Sequence, residues 1–265
     1  MSREAAPTRR RGFASSSLLM VILVAGGCSQ SSAPVDATAT LAALAKKYGI
    51  QIVTRDVQPA DHRIHATPCT PGELGRYAGL FAEEFGLYPP DVIRRAQLER
   101  GVLCKDLSYG GQLRGAIPDF ESKTLYLDAV RGDSNPTYQR KVIHHDFFHM
   151  IDYRDDGNLY TDKEWEKLNP AGFHYGTGGA NSQDDPMSSV LTDRWPGFLN
   201  SYSKTGVEED KAEMYANLVV EPAYVERRAQ TDAVVRAKVA AIKRLMVRFS
   251  PDADDHFWAR AAALR

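Results

Sequence analysis

Two histidines four residues apart are the first feature of this sequence that could do chemistry. They are His145 and His149, and segment 141–152 around them reads KVIHHDFFHMID. On an α-helix this spacing puts both imidazoles on one face, one turn apart, where two nitrogens can meet one zinc ion. A carboxylate between the histidines can act on a water molecule at that ion, and here it is Asp146. Seven histidines in 265 residues give roughly 0.2 such pairs by chance, so the spacing alone is weak evidence.

A second segment, 201–216, could supply carboxylates to the same site. It reads SYSKTGVEEDKAEMYA and places Glu209 and Glu213 one turn apart on a predicted helix. Because small and apolar residues lie beside Glu213, its carboxylate is costly to bury unless it is paired or bound to a metal. A solvated acidic face is the alternative, and it explains Glu208, Glu209 and Asp210 well.

Together the two segments resemble a group of gluzincin metallopeptidases, those with a catalytic domain similar to that of anthrax lethal factor. In that group a His-Glu-x-x-His helix is followed by Ser-Tyr-x-x-Thr-Asn-x-x-Glu-x-x-Ala-Glu. The resemblance covers about residues 120–225. It implies a zincin-like fold in which His145, His149 and Glu209 hold one Zn²⁺ ion, with a peptide or protein as substrate. Another divalent metal stays an alternative.

The resemblance also implies supporting roles around the metal. Tyr202 matches a tyrosine whose hydroxyl stabilises the oxyanion, and Glu213 matches a carboxylate that orients a ligating histidine. Asp152 lies on the His149 side of the same helix, and we expect it to orient that imidazole in the same way.

Two positions depart from the pattern of the group. Gly206 replaces the usual Asn, which is a modest change, whereas Asp146 replaces the general-base Glu. Because Asp is one methylene shorter, its oxygen falls about an ångström short, and such a displacement can cost on the order of 10²-fold in rate. The sequence therefore supports metal binding better than proteolysis.

The resulting hypothesis is hydrolysis of a peptide bond by metal-activated water. Asp146 would take the proton of the water and pass it to the leaving amine, and Tyr202 would donate to the oxyanion. A predicted strand at 123–130, just before the metal helix, would pair with the extended peptide.

Two other functions stay open. In the first, the protein is a degenerate zincin that binds zinc and acts as a non-catalytic binding module. In the second, His145 and Asp146 form the His-Asp dyad of a metal-dependent phosphohydrolase. Such a site needs another histidine and a distant aspartate, and it makes no use of His149 or Glu209.

The elements that position these residues follow from hydrophobic periodicity and capping signals. Helices, then a small sheet, then helices predict an α+β fold with the chemistry in the helical second half. Helices are predicted at 37–48, 71–85, 91–98, 135–153, 206–221 and 230–249, and strands at 50–53, 102–109, 113–117 and 123–130. The strand at 123–130 alternates like a half-buried strand, and Thr205 with Glu208 predicts a capping box for the helix at 206–221. A long Gly-rich stretch at about 155–200 is typical of a functional loop.

The N-terminus is typical of a bacterial lipoprotein. Residues 1–27 combine four arginines with an apolar run too short to span a membrane, as in a signal peptide. The run ends LVAGGC at Cys28, which resembles a lipobox and implies cleavage before Cys28 and lipidation of its thiol. Residues 28–36 then form a tether, and 37–265 form the metallopeptidase-like domain. We expect a lipid-anchored protein of the cell envelope, at the outer membrane and facing the periplasm or the exterior.

Composition limits the partners. The net charge is -1 and no dense Lys/Arg stripe appears in the body of the chain, which disfavours nucleic acid as the main partner. We expect contact with a membrane only through the lipid anchor, and a monomeric protein.

Two cysteines, Cys69 and Cys104, remain once the lipobox has used Cys28. An even pair in an oxidising compartment favours a disulfide, worth roughly 4 kcal/mol in the chain-entropy picture. Two free buried thiols are the alternative.

Overall fold

The structure is a computed structural model that describes residues 36–182, 185 and 187–265. The signal peptide predicted at 1–27, Cys28 and all of the tether except residue 36 lie outside the described residues. In the described part of the chain, no helix is both long enough and apolar enough to span a membrane.

A mixed six-stranded sheet forms from the first half of the chain. Its strands are β1 (Gln51–Val53), β2 (Ile64–Pro68), β3 (Arg100–Tyr109), β4 (Gln112–Leu113), β5 (Ala116–Asp119) and β6 (Thr124–Asp128). The main path runs β1, β3, β6, β5, with β1 and β6 parallel to β3 and β5 antiparallel to β6. The strands β2 and β4 pair antiparallel with β3.

The strand predicted at 123–130 is present as β6, but its surroundings differ from the prediction. All five of its residues are buried, so the expectation of a half-buried strand is wrong. Tyr126 packs in a hydrophobic cluster, and Asp128 accepts the backbone N–H of Leu107 at 3.0 Å. Because β3 and β5 occupy both of its edges, β6 cannot pair with a peptide. Among the described residues, no strand pairs with the outer edge of β5.

In the described part of the chain, three helices precede or lie between the strands and six follow the sheet, which confirms the predicted α+β class. They are α1 (Ala37–Tyr48), α2 (Pro71–Phe85), α3 (Pro90–Arg95), α4 (Pro136–Asp156), α5 (Lys163–Glu166), α6 (Val207–Val220), α7 (Pro222–Thr231), α8 (Ala233–Phe249) and α9 (Asp255–Ala263).

Several helix ends follow the capping signals of the sequence. Gly49 ends α1 in the left-handed region, with φ 67°, where glycine carries no Cβ penalty. Thr70 and Glu73 form a capping box at the start of α2. At the start of α4, the side chain of Asn135 accepts the backbone N–H of Tyr138 at 3.1 Å.

The capping box predicted for α6 is wrong. Gly206 is the N-cap and offers no side chain, while Thr205 Oγ1 donates to the carbonyl of Tyr202 at 2.7 Å. The carboxylate of Glu208 instead folds back and accepts its own backbone N–H. It thereby supplies one of the acceptors that the free N–H groups of a first helical turn require.

The helices α4 and α6 pack against each other and carry the predicted site residues. The buried side chains of α4 include Ile143, Phe147, Phe148 and Ile151. Phe148 stacks on Tyr215 of α6, with ring centroids 4.7 Å apart. Each fully buried side chain of this size contributes about 1.5–3 kcal/mol, so this interface fixes the two helices relative to each other.

The Gly-rich stretch at 155–200 is anchored to α6 rather than loose. The carboxylate of Asp210 accepts hydrogen bonds from Trp165 Nε1 (2.8 Å), Tyr175 OH (2.6 Å) and Lys238 Nζ (2.6 Å). Lys238 also donates to the carbonyl of Gly197 at 2.8 Å. Buried charges are tolerated when they are paired and hydrogen-bonded in this way, and the network holds the loop against the start of α6.

The predicted disulfide between Cys69 and Cys104 does not form, and both thiols are free. The register of β2 on β3 places Cys104 opposite Pro68, one residue before Cys69. Cys104 then points into the cluster around Tyr126, while Cys69 packs against the main core. The two thiols therefore lie in different hydrophobic clusters, and burial raises both of their pKa values, that of Cys69 to about 11.

Candidate metal centre

The packing of α4 on α6 brings His145, His149 and Glu209 together. His145 Nε2 lies 3.0 Å from Glu209 Oε2 and 3.1 Å from His149 Nε2, and His149 Nε2 lies 3.5 Å from Glu209 Oε2. Among the described residues these three form the only group of histidine, cysteine and carboxylate side chains that could hold a metal ion. The four-residue spacing on α4 brings the two imidazoles together on one face of the helix, as the sequence predicts.

The triangle of donor atoms fits a tetrahedral zinc ion. Ligand atoms at the usual 2.0–2.1 Å from zinc, separated by a tetrahedral angle, lie about 3.3 Å from each other. The three separations in the structure range from 3.0 to 3.5 Å. Two imidazole nitrogens and one carboxylate oxygen are also ligands that zinc prefers, and three protein ligands leave a fourth position open.

Charge stabilises this arrangement. Burial alone lowers the pKa of His145, but its contacts with Glu209 and Glu213 raise that pKa well above the usual value. Burial alone raises the pKa of Glu209, but hydrogen bonds and charge from His145 and His149 hold it well below its usual range. The ionised carboxylate that a metal requires is therefore favoured at neutral pH.

Glu213 contacts the far side of His145, as the resemblance implies. Glu213 Oε1 lies 3.0 Å from His145 Nδ1, as a charge contact rather than an aligned hydrogen bond; its negative charge favours a proton on Nδ1 and leaves the lone pair of Nε2 for a metal. Asn200 Nδ2 donates to Glu213 Oε2 at 2.6 Å, and Asn217 Nδ2 does so at 3.2 Å. The sequence analysis missed both asparagines, because no spacing signal connects them to the site.

Asp152 forms no hydrogen bond with His149, contrary to the prediction, and its Oδ2 has no hydrogen-bond partner among the described residues. Its Oδ1 accepts from Lys211 Nζ of α6 at 2.5 Å, and the same ammonium donates to Asp162 at 2.9 Å. His149 Nδ1 is buried and has no hydrogen-bond partner among the described residues. Asp152 faces Lys211 because α6 presents a buried ammonium there, and an ammonium attracts a carboxylate more strongly than an imidazole nitrogen does.

Tyr202 and a glycine close the site from the loop side. Tyr202 OH donates to Glu209 Oε1 at 3.0 Å, and burial, together with the charges of Glu209 and Asp146, raises the pKa of Tyr202 well above its usual value. The hydroxyl therefore keeps its proton. A Cβ at Gly179 would lie 2.2 Å from both Glu209 Oε1 and Tyr202 OH, so any other residue there would displace these two side chains.

Asp146 lines the same cleft as the two histidines. This cleft has a volume of about 1450 Å³ and also borders β5. Burial raises the pKa of Asp146, and the charges of His145 and His149 partly oppose that rise. No hydrogen bond from another described residue occupies its carboxylate, which leaves it available to accept a proton.

The remaining histidine of the motif is structural. His144 Nδ1 and the hydroxyl of Tyr88 are 2.8 Å apart, and His144 Nε2 lies 2.9 Å from Glu84 Oε2. Glu84 also pairs with Arg140 and Arg265. Burial opposes ionisation of Glu84, but hydrogen bonds from Arg265 and His144 outweigh it and lower its pKa to about 2.

Of the comparisons with known proteins, the one with solved structures agrees with this fold. No protein family profile matches the sequence, and no curated protein matches it. The crystal structure of a candidate zinc-binding metallo-peptidase from Bacteroides caccae superposes with a TM-score of 0.55 and 20% sequence identity, covering 88% of this chain and 94% of that chain. The chain therefore has a zincin-like α+β fold.

Proposed function

We propose that the protein binds one zinc ion through His145, His149 and Glu209 and hydrolyses peptide bonds with it. The observation that carries the proposal is the triangle of donor atoms, 3.0 to 3.5 Å on a side, at the wall of a large cleft. Glu209 contacts both histidines, which favours this function over a phosphohydrolase that would use only His145 and Asp146.

The residues of the cleft have the properties that peptide hydrolysis requires. Zinc held by these ligands supplies Lewis-acid activation of a water molecule and of the scissile carbonyl. Asp146 accepts the proton of the water on its carboxylate and hands it to the leaving amine, a task favoured by its raised pKa. Tyr202 keeps its proton and would turn it from Glu209 Oε1 to the oxyanion as a hydrogen bond.

The substrate would lie along β5 as an extended strand. The residues of β5 (Ala116–Asp119) line the cleft, and its outer edge carries no partner strand in the described chain. Main-chain hydrogen bonds to such an edge bind a peptide with little dependence on its sequence. This replaces β6 as the strand that receives the peptide.

Metal analysis tests the first half of the proposal. Wild-type protein loaded with zinc and desalted should hold one zinc ion per chain, and His145→Ala should hold none. His174→Ala is the matched control, because His174 is exposed and is not part of the metal group. Equal zinc in His145→Ala and in the wild type would refute the ligand assignment.

A longer carboxylate at position 146 tests the second half of the proposal, which is peptide hydrolysis. If Asp146 limits the rate because it is short, Asp146→Glu should gain peptidase activity at unchanged zinc content. If neither form of the zinc-loaded protein cleaves peptides, the non-catalytic binding module becomes the better description of this site.

We also propose that the protein works from the cell envelope, lipid-anchored through Cys28. The lipobox-like sequence and the polar tether support this proposal. Metabolic labelling with a fatty acid should label the wild type and leave Cys28→Ala unlabelled, and labelling of both forms would contradict it.

A further inference from the structure

A second, smaller cavity of about 310 Å³ opens beside the metal centre. It shares Tyr160, Thr177, Gly178 and Glu208 with the large cleft, so the two spaces adjoin each other at these residues. Glu208 is also the neighbour of the predicted ligand Glu209 in the first turn of α6. A substrate bound at the metal centre could therefore place one of its side chains in this cavity.

The carboxylate of Glu208 is the group in this cavity that could bind a charged ligand. Glu208 is only 7% exposed, and its carboxylate accepts its own backbone N–H. No Lys, Arg or His of the described residues forms an ion pair with it, and only the charges of His145 and His149 partly offset its own. A buried carboxylate of this kind is costly unless a cation offsets its charge.

Gly206 makes room for this carboxylate. A Cβ at Gly206 would lie 2.3 Å from Glu208 Oε1, whereas one at Gly178 would lie 3.7 Å from the same atom, at an ordinary contact distance. The carboxylate therefore occupies space that any other residue at position 206 would fill. Gly206 therefore allows the carboxylate of Glu208 to lie at the wall of the cavity.

The rest of the lining fits the same kind of ligand. Tyr160 and Tyr175 supply aromatic rings and Glu166 a second carboxylate, and no cationic side chain lines the cavity. A long cationic side chain can pair with a carboxylate and pack its stem and charge against aromatic rings. An acidic ligand would meet two like charges here.

We propose that this cavity receives the side chain of an arginine or lysine of the substrate, and that Glu208 determines this specificity. The proposal rests on the proposed function, since it treats the large cleft as the place where a peptide binds. Glu208 acts on the substrate through charge, so its removal should act mainly on KM.

The sharpest test is Glu208→Gln, which keeps the shape and one acceptor oxygen, removes the charge and replaces the other oxygen with an NH2 group. Glu164→Gln is the matched control, because Glu164 is exposed and lines neither cavity. Zinc content and thermal unfolding of all three proteins are measured first. A random decapeptide library is then cleaved, and the best peptide is resynthesised with citrulline, the neutral analogue of arginine.

The wild type and Glu164→Gln should cleave next to a fixed Arg or Lys position and prefer arginine over citrulline. Hydrogen bonds to charged groups correspond to about 10- to 100-fold in binding, and Glu208→Gln should lose that preference through KM. The same preference in Glu208→Gln and in the wild type would overturn the proposal, and so would no preference in the wild type.

Failure of the proposed function would look different. If the zinc-loaded wild type cleaves nothing, peptide hydrolysis is refuted. The inference about the cavity is then tested by measuring peptide binding instead of cleavage. Fluorescence anisotropy then compares one labelled Ala/Gly peptide carrying arginine with the same peptide carrying citrulline. Tighter binding of the arginine form that Glu208→Gln abolishes supports the cavity assignment, and equal binding overturns it.

Discussion

Addition of one methyl group at Gly179 should damage the metal centre without unfolding the protein. The new Cβ would lie 2.2 Å from Glu209 Oε1 and from Tyr202 OH, whereas ordinary contact begins at 3.4 Å. The loop cannot easily retreat, because Gly178 N–H donates to the carbonyl of Thr205 at 2.7 Å. Glu209 and Tyr202 must therefore move by about 1 Å, and a displacement of that size can cost on the order of 10²-fold in rate.

The assay is zinc affinity by competition with a chelator, followed by kcat/KM on a peptide. Gly179→Ala should bind zinc about 10- to 100-fold more weakly, the usual loss when the support of a metal ligand is disturbed. Gly75→Ala, in α2, is the control for adding a methyl group, because nothing lies within 4 Å of its new Cβ. Zinc affinity and activity of Gly179→Ala equal to those of the wild type would refute the close packing of this loop on Glu209.

Three further changes test the surroundings of the site. Glu213→Gln removes the charge next to His145 Nδ1 and should weaken zinc binding about 10- to 100-fold by chelator competition; unchanged affinity would count against the orienting role. Lys211→Met leaves the buried carboxylate of Asp152 without its cation and should lower the free energy of unfolding by about 3–5 kcal/mol in urea, whereas a change below about 0.5 kcal/mol would contradict the pairing. Glu84 has a pKa of about 2 in the folded protein, below its ordinary value of 4.5. The ionised carboxylate therefore stabilises the folded state above about pH 4.5, and this stabilisation, about 3 kcal/mol, is lost as the pH falls toward 2. Denaturant unfolding at pH 5 and pH 3 should show a smaller loss in Glu84→Gln than in the wild type, and equal losses would contradict this assignment.

The site could be predicted from the sequence where helical periodicity alone decides the geometry. A spacing of four residues fixes the shared face of His145 and His149, and likewise that of Glu209 and Glu213. The resemblance to gluzincins then implied that the two helices meet. Their packing through Phe148 agrees with it.

Partners from distant segments could not be predicted. Asp152 has a helical position suited to His149, but its partner Lys211 lies 59 residues away on another helix. Asn200 contacts Glu213 from a segment that has no periodicity. Gly179 is one of several glycines in its loop, and only the three-dimensional packing singles it out.

The alternation of apolar and polar residues predicted the burial of β6 wrongly, because it depends on residue types and not on the contacts that the residues make. Tyr126 and Asp128 occupy the face that alternation marks as polar. The ring of Tyr126 packs in a hydrophobic cluster, and Asp128 is satisfied by backbone N–H groups, among them that of Leu107. A strand can therefore alternate in sequence and still be buried on both faces.

The most direct test of the metal centre is a crystal structure of the zinc-loaded protein with anomalous data at the zinc edge. The account predicts one peak at about 2.0–2.2 Å from His145 Nε2, His149 Nε2 and a carboxylate oxygen of Glu209. The absence of a peak at these three side chains, or a peak held by other residues, would contradict it.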